Sequence, residues 1–255
     1  MLLRPYHAAM SQSPVALVTG GAVRVGRGIV LALLESGYRV WVHCHHSKAE
    51  AEALATAHPD AVAGVHAADL LDPAARAGLA AVVGPRLDLL VNNAASFERG
   101  AFVDRDDDDL RRVLELNLVA PLSLLRSCVP ALRNAPAASV VNIVDLGARN
   151  PWAGLLDHSI AKSALETATR GLAAELAPLR VNAVAPGTVA WPADGRAPEG
   201  SEARARLLSR IPRGQIGSPQ DVAQAVCFLA RAPHVSGHTL VVDGGSTAAL
   251  GGAHA

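Results

Sequence analysis

The chain has 255 residues, half of them hydrophobic and only 3% aromatic, enough to bury one α/β core of aliphatic helices on aliphatic strands. Its 23 basic and 23 acidic residues cancel, so no basic excess points to nucleic acid or an acidic membrane surface. The three cysteines, Cys44, Cys128 and Cys227, are odd in number and lack metal or redox spacing, which argues against a disulfide framework and for thiols in a reducing cytosol.

The leader MLLRPYHAAMSQSP has no continuous apolar core of the kind a signal peptide needs. No apolar run reaches the ~20 residues of a membrane span. Residues 1–13 are expected to be a flexible tail, with Met10 as an alternative start, ahead of one domain over 14–255 in a cytoplasmic protein. Aliphatic runs then recur at 15–19, 39–43, 61–67, 87–92, 139–144, 179–185 and 239–243. Most are near-continuously apolar, as buried parallel strands are. Helical segments fall between them, over 26–36, 48–58, 72–83, 106–133, 157–177 and 218–231. This alternation predicts right-handed βαβ units and a Rossmann-type doubly wound domain, with about seven parallel strands and helices on both faces.

After the first strand comes TGGAVRVGRG, opening a helix. Gly20 and Gly21 permit a tight turn, and Gly26 lets the helix approach closely and offer its N–H groups to a pyrophosphate. About 20 residues on, a site preferring NAD would carry an acid for the ribose hydroxyls. This chain has HCHHSK over 43–48 instead. His45, His46, Ser47 and Lys48 can donate to a 2′-phosphate, and Arg24 lies on the same side, which favours NADP(H). Zinc is not expected there, because adjacent strand residues point to opposite faces and no distant ligand pair completes a tetrahedron. The third strand ends in ADL, where Asp69, beside Leu70, can accept from an adenine amino group. The fourth ends in NNAASF over 92–97, whose small residues let the backbone lie against a cofactor while the amides tie strands together. The acid run 104–110 lacks the glycine and terminal glutamate of a calcium loop and reads as a helix start complementing the macrodipole. His158 and Lys162 stand four apart on one helix face. The irregular stretch 187–203, within a lid region over 187–211, leaves the ligand-binding end of a strand.

These motifs resemble the short-chain dehydrogenase/reductase family from Val15 to about Ser246. The glycine turn, Asp69, Asn92-Asn93-Ala94, Asn117, Lys162, Pro186-Gly187 and Asp243-Gly244-Gly245 carry the resemblance. It implies a homotetramer or homodimer acting on a small molecule. It also implies cofactor contacts from Gly20, Arg24, Val25, Gly26, His45, His46, Ser47, Asp69, Leu70, Asn93, Ala94, Lys162, Pro186 and Gly187. Within that family the chain is most similar to the pteridine reductases. Arg24 stands where most members have glycine, Ser96-Phe97 follows the paired asparagines, and Asp145 replaces the usual catalytic serine. The resemblance implies that Arg24, Ser96, Phe97, Asp145 and His158 meet the substrate, and that Asn117, Asp145, His158 and Lys162 form the catalytic group. His46 stands where an Arg would be usual, which weakens the preference for NADPH.

The chain departs from the family's Tyr-x-x-x-Lys signature, reading His158-Ser-Ile-Ala-Lys162. Its only tyrosines are Tyr6 and Tyr38. A free imidazole titrates near 6.5 and a phenol near 10. A neighbouring cation disfavours a charged imidazole and a neighbouring carboxylate favours it, so Asp145–His158–Lys162 can form a relay. Three readings follow: an NADPH-dependent reductase of a pterin, dihydropterin or dihydrofolate-like heterocycle; a reductase of another carbonyl or imine; or a non-catalytic NADP(H)-binding sensor or partner subunit.

Overall fold

The Val-, Leu- and Ala-rich runs form seven strands: β1 (Val15–Val18), β2 (Arg39–Cys44), β3 (Val62–Ala67), β4 (Leu89–Asn92), β5 (Ser139–Ile143), β6 (Arg180–Pro186) and β7 (Thr239–Val242). The computed structural model describes residues 13–191, 195 and 197–249. The expected tail at 1–12, with Met10, and part of the expected lid, at 192–194 and 196, lie outside the described residues. All seven strands run parallel, in the order β3-β2-β1-β4-β5-β6-β7. The chain reverses direction of travel at β1, which pairs with both β2 and β4. In such sheets the carboxyl ends of the strands at this switch point form the ligand crevice.

Nine helices connect and cover the strands among the described residues: α1 (Arg24–Glu35), α2 (Lys48–Ala57), α3 (Pro73–Val82), α4 (Asp107–Leu114), α5 (Ala120–Arg133), α6 (Leu156–Glu175), α7 (Glu202–Ser209), α8 (Pro219–Arg231) and α9 (Ser246–Ala249). Alternate residues of the central strands feed two cores. Ala16, Val18, Leu89 and Val91 pack under α1 and α8, whereas Leu17, Leu90 and Val140 pack with Leu79 of α3 and Leu124 and Leu132 of α5. That two-sided burial explains why the runs read as continuously apolar.

The helix expected over 106–133 is interrupted. Its first turn behaves as anticipated, with the Asp106 carboxylate accepting from Asp108 N–H and Asp109 N–H, and three further acids in the first turn. Between α4 and α5, Glu115–Val119 adopts a wider π turn. Pro121 has no N–H to return to the carbonyl of Asn117, so an ordinary α turn has no bond to gain there. The π turn leaves the Asn117 side chain buried. The whole run, Asp107–Arg133, is long and apolar enough by length and composition to cross a bilayer, contrary to the expectation that none is. Leu124, Leu125, Cys128 and Leu132 of this run pack against the sheet.

A buried polar ladder fixes α6 to the sheet. Asn92 Nδ2 donates to Asn142 Oδ1, Asn142 Nδ2 donates to Thr169 Oγ1, and Thr169 Oγ1 donates to Leu165 O, each at 2.9 Å. Asn142 and Thr169 are both buried. Thr169→Val keeps the shape but strands the Asn142 amide, so it is expected to lower unfolding free energy by about 1–3 kcal/mol in a urea titration. An unchanged midpoint would mean the ladder does not hold α6.

Candidate active site

The glycine turn is built from β1, β2 and β4 together. Gly20 has φ +61°, a conformation that glycine adopts without steric penalty. A Cβ at Gly26 would fall 1.9 Å from Gly20 O, so only glycine lets α1 close on the turn. Asn93 Nδ2 donates to Thr19 O at 2.9 Å and to Gly20 O at 3.0 Å. Asn93 N–H and Ala94 N–H both donate to Thr19 Oγ1. Val23, before α1, provides no capping side chain, and the first turn has no acid. The free amides at that end, with the dipole behind them, fit an anionic phosphate.

Arg24 is the only non-glycine residue with positive φ among the described residues, at +50°. A side chain there costs roughly 1–2 kcal/mol relative to glycine. At the end of β2, His45 and His46 are exposed and stacked, with ring centroids 3.6 Å apart. Ser47 precedes α2 without capping it. Lys48 pairs with Glu52 at 3.5 Å, on the surface. Asp69 is exposed beyond β3, its carboxylate accepting from Leu71 N–H, while Leu70 is buried. Gly187 N–H donates to Val242 O, which holds the Pro186-Gly187 turn against the end of β7. His45, His46 and Ser47 thus follow β2 with no acid among them, and Asp69 supplies a carboxylate at the neighbouring strand end. These residues fit a dinucleotide.

The second half of the site lies at the ends of β4 and β5. Asp145 follows β5, and its Oδ2 meets His158 Nε2 in a direct hydrogen bond. His158 Nδ1 lies 2.9 Å from Ser96 O. The Ser96 peptide is held on both sides by Asn117, whose Oδ1 accepts from Ser96 N–H at 2.9 Å and whose Nδ2 donates to Ser96 O at 3.0 Å. Nδ1 also lies 3.2 Å from Asn117 Nδ2, so it can donate to Ser96 O or accept from Asn117. With Nδ1 donating, one proton is shared between Nε2 and Asp145, as imidazolium facing carboxylate or neutral imidazole facing a carboxylic acid. With Nδ1 accepting, a neutral ring donates Nε2–H to the carboxylate.

His158 is only 3% exposed. The Asp145 side chain is 15% exposed as a whole, but its Oδ1 is buried and has no hydrogen-bond partner among the described residues. A Cβ at Gly147 would lie 2.9 Å from that oxygen, so glycine leaves room for it. Lys162 Nζ donates to Ile143 O at 2.8 Å. Burial lowers the Lys162 pKa to about 8, opposed in part by Asp145. Phe97 is half exposed, with its ring edge-to-face against His158 at 4.8 Å and Trp152 at 6.4 Å.

Thus Asn117, Ser96, Asp145, His158, Lys162 and Phe97 are brought together, and Arg24, Gly20, Gly26, Asn93 and Ala94 meet at the turn. Tyr38 supplies no substitute phenol: it is buried just before β2, at the edge of the sheet opposite to these residues. Its burial pushes its pKa up to about 12. Two residues were given no role in the site by the sequence reading. Trp152 stands in an irregular segment with no periodic signal. His43 sits in an apolar strand, and its partners lie 23 and 25 positions away. No cluster of three or more His, Cys, Asp or Glu is placed to hold a metal among the described residues.

The switch-point crevice, the glycine turn and the acid–imidazole–lysine group define a nucleotide-dependent oxidoreductase of the Rossmann type. The comparisons with known proteins agree. The family model described as "Enoyl-(Acyl carrier protein) reductase" matches residues 21–247. The chain is 34% identical over 252 residues to 2,3-dihydroxy-2,3-dihydro-p-cumate dehydrogenase of Pseudomonas putida, covering 92% of this chain and 95% of the relative. It is 33% identical over 256 residues to a glucose and ribitol dehydrogenase homolog of Oryza sativa subsp. japonica, covering 91% and 85%. It is 30% identical over 244 residues to the 3-oxoacyl-(acyl-carrier-protein) reductase FabG of Chlamydia pneumoniae, covering 91% and 96%. The chain belongs to the short-chain dehydrogenase/reductase family, whose reductases use NAD(P)H.

A strained backbone retained under an arginine points to work done by its side chain. Arg24→Gly is expected to raise unfolding free energy by roughly 1 kcal/mol while weakening binding of nucleotide or substrate, read by thermal melts and calorimetry on one preparation. Stability gained with binding untouched would show that the guanidinium is idle.

Proposed function

We propose that this chain is an NADPH-dependent reductase of a flat, nitrogen-rich heterocycle of the pterin, dihydropterin or dihydrofolate type. The observation that carries this reading is the Asp145–His158 pair beside the half-exposed Phe97. A carboxylate at this point, in place of a hydroxyl, suits a ring N–H or amino donor, which a simple ketone lacks. Phe97 and Trp152 offer apolar ring surface for a planar substrate. The donors at His45, His46, Ser47 and Arg24, with no acid among them, support NADPH over NADH. The enzyme works in the cytosol as a homodimer or homotetramer.

A bound reduced nicotinamide supplies the hydride. The protein supplies the proton. The protonated pair gives its one shared proton to the substrate nitrogen through Asp145, because the Asp145 side chain is the more exposed of the two and both His158 nitrogens are engaged. That transfer leaves a carboxylate and a neutral imidazole with Nδ1–H on Ser96 O, and solvent restores the proton. Asn117 holds the Ser96 peptide in place. Lys162, cationic below about pH 8, holds Ile143 O near Asp145 and balances the carboxylate charge.

The relatives named as 3-oxoacyl reductases support a second reading, reduction of a carbonyl, in which the same pair protonates the alkoxide. NADPH oxidation measured with dihydrobiopterin, dihydrofolate and a 3-oxoacyl thioester separates the two. Turnover confined to the thioester would replace the first reading with the second, and no turnover on any substrate despite tight NADPH binding would favour a sensor.

Asp145→Asn is expected to lower kcat by about 10²–10⁴-fold with NADPH affinity unchanged. If His158→Phe proves the more damaging of the two, His158 rather than Asp145 is the direct donor. Activity should also fall as pH rises through about 8, where Lys162 loses its charge. A rate that stays level to pH 10 would exclude a role for that cation.

A further inference from the structure

His43 is the last residue but one of β2 and is 2% exposed. It holds both amides of the glycine turn. Gly20 N–H donates to His43 Nδ1 at 3.1 Å, and Gly21 N–H donates to His43 O at 2.9 Å. On its far side, Nε2 lies 3.1 Å from Ala68 O. A donor at Nδ1 and an acceptor at Nε2 leave one protonation state, the neutral Nε2–H tautomer. Burial favours the same state and pushes the pKa down to about 4. The Ala68 carbonyl and Asp69 oppose this shift, while His66 and His45 add to it. The ring therefore stays neutral, and both bonds persist, throughout the neutral range.

We propose that His43 is a positioning residue of the nucleotide site, setting the spacing between the phosphate turn and the adenosine end. The assignment rests on the NADPH reading of that turn. Asn93 grips the turn from the β4 side but has no bond to the segment after β3. His43 grips it from the β2 side and reaches Ala68, the residue before Asp69 and Leu70. Pyrophosphate and adenine are covalently joined in a dinucleotide, so the protein must present their two contact sets at one fixed separation. A single rigid imidazole does this across three neighbouring strand ends. A glutamine amide offers an acceptor and a donor about as far apart as the two ring nitrogens. Phenylalanine fills the space with neither. Asparagine offers the same pair on a stem one carbon shorter, which cannot span both partners.

Calorimetric titration with NADPH and with adenosine 2′,5′-bisphosphate tests the assignment on the full-length protein. His43→Phe should weaken both ligands by about tenfold or more, His43→Asn by an intermediate factor, and His43→Gln by no more than about threefold. At saturating NADPH, kcat of the folded variants should stay within about twofold of wild type, because His43 touches none of Asp145, His158 or Lys162. If His43→Phe does not fold, the difference between Asn and Gln still decides. Asn and Gln variants that bind both ligands as wild type does would overturn the assignment while leaving the cofactor reading intact. So would a loss confined to kcat. Wild-type protein that binds neither ligand would overturn the cofactor reading, and the assignment with it.

Discussion

A buried peptide group must find a hydrogen-bond partner, and the carboxyl edge of a parallel sheet is where strands stop supplying them. Here side chains take over. Gly20 is held through its N–H by His43 and through its carbonyl by Asn93. Ser96 is held on both sides by Asn117, Ile143 O by Lys162, and Ala68 O by His43. The groups that satisfy the backbone at this edge are largely those that shape the site, so the fold and the chemistry draw on the same bonds.

The two buried histidines show how surroundings decide a role. His43 faces one donor and one acceptor, and that arrangement fixes it neutral. His158 meets the Asp145 carboxyl at Nε2 and, at Nδ1, both an acceptor, Ser96 O, and a donor, Asn117 Nδ2, so its partners are satisfied in more than one protonation state. The first ring therefore serves as a spacer and the second can gain or lose a proton. A Tyr at 158 would have a single oxygen and could not bridge Ser96 O and Asp145 in the same way. Asp145 and His158 are two parts of one arrangement.

Much of the fold could be read from the sequence. Two-sided burial makes parallel strands continuously apolar, and the glycine turn, the paired asparagines and the His158–Lys162 spacing are local patterns. The π turn at Asn117 was hidden, because Glu115–Val119 continues a helical periodicity on both sides and only Pro121 marks a break. The roles of His43 and Trp152 were hidden because they depend on what lies opposite them.

The sequence by itself determined the strand–helix order, the nucleotide turn and the identity of the unusual pair, Asp145 and His158. Those properties reside in periodicity and in residue type. Only the tertiary structure decided that Asp145 is the more exposed member of the pair and which donors and acceptors each buried histidine faces. Exposure and hydrogen-bond direction are set by residues brought together from strands and helices far apart in the chain, and no local pattern encodes them.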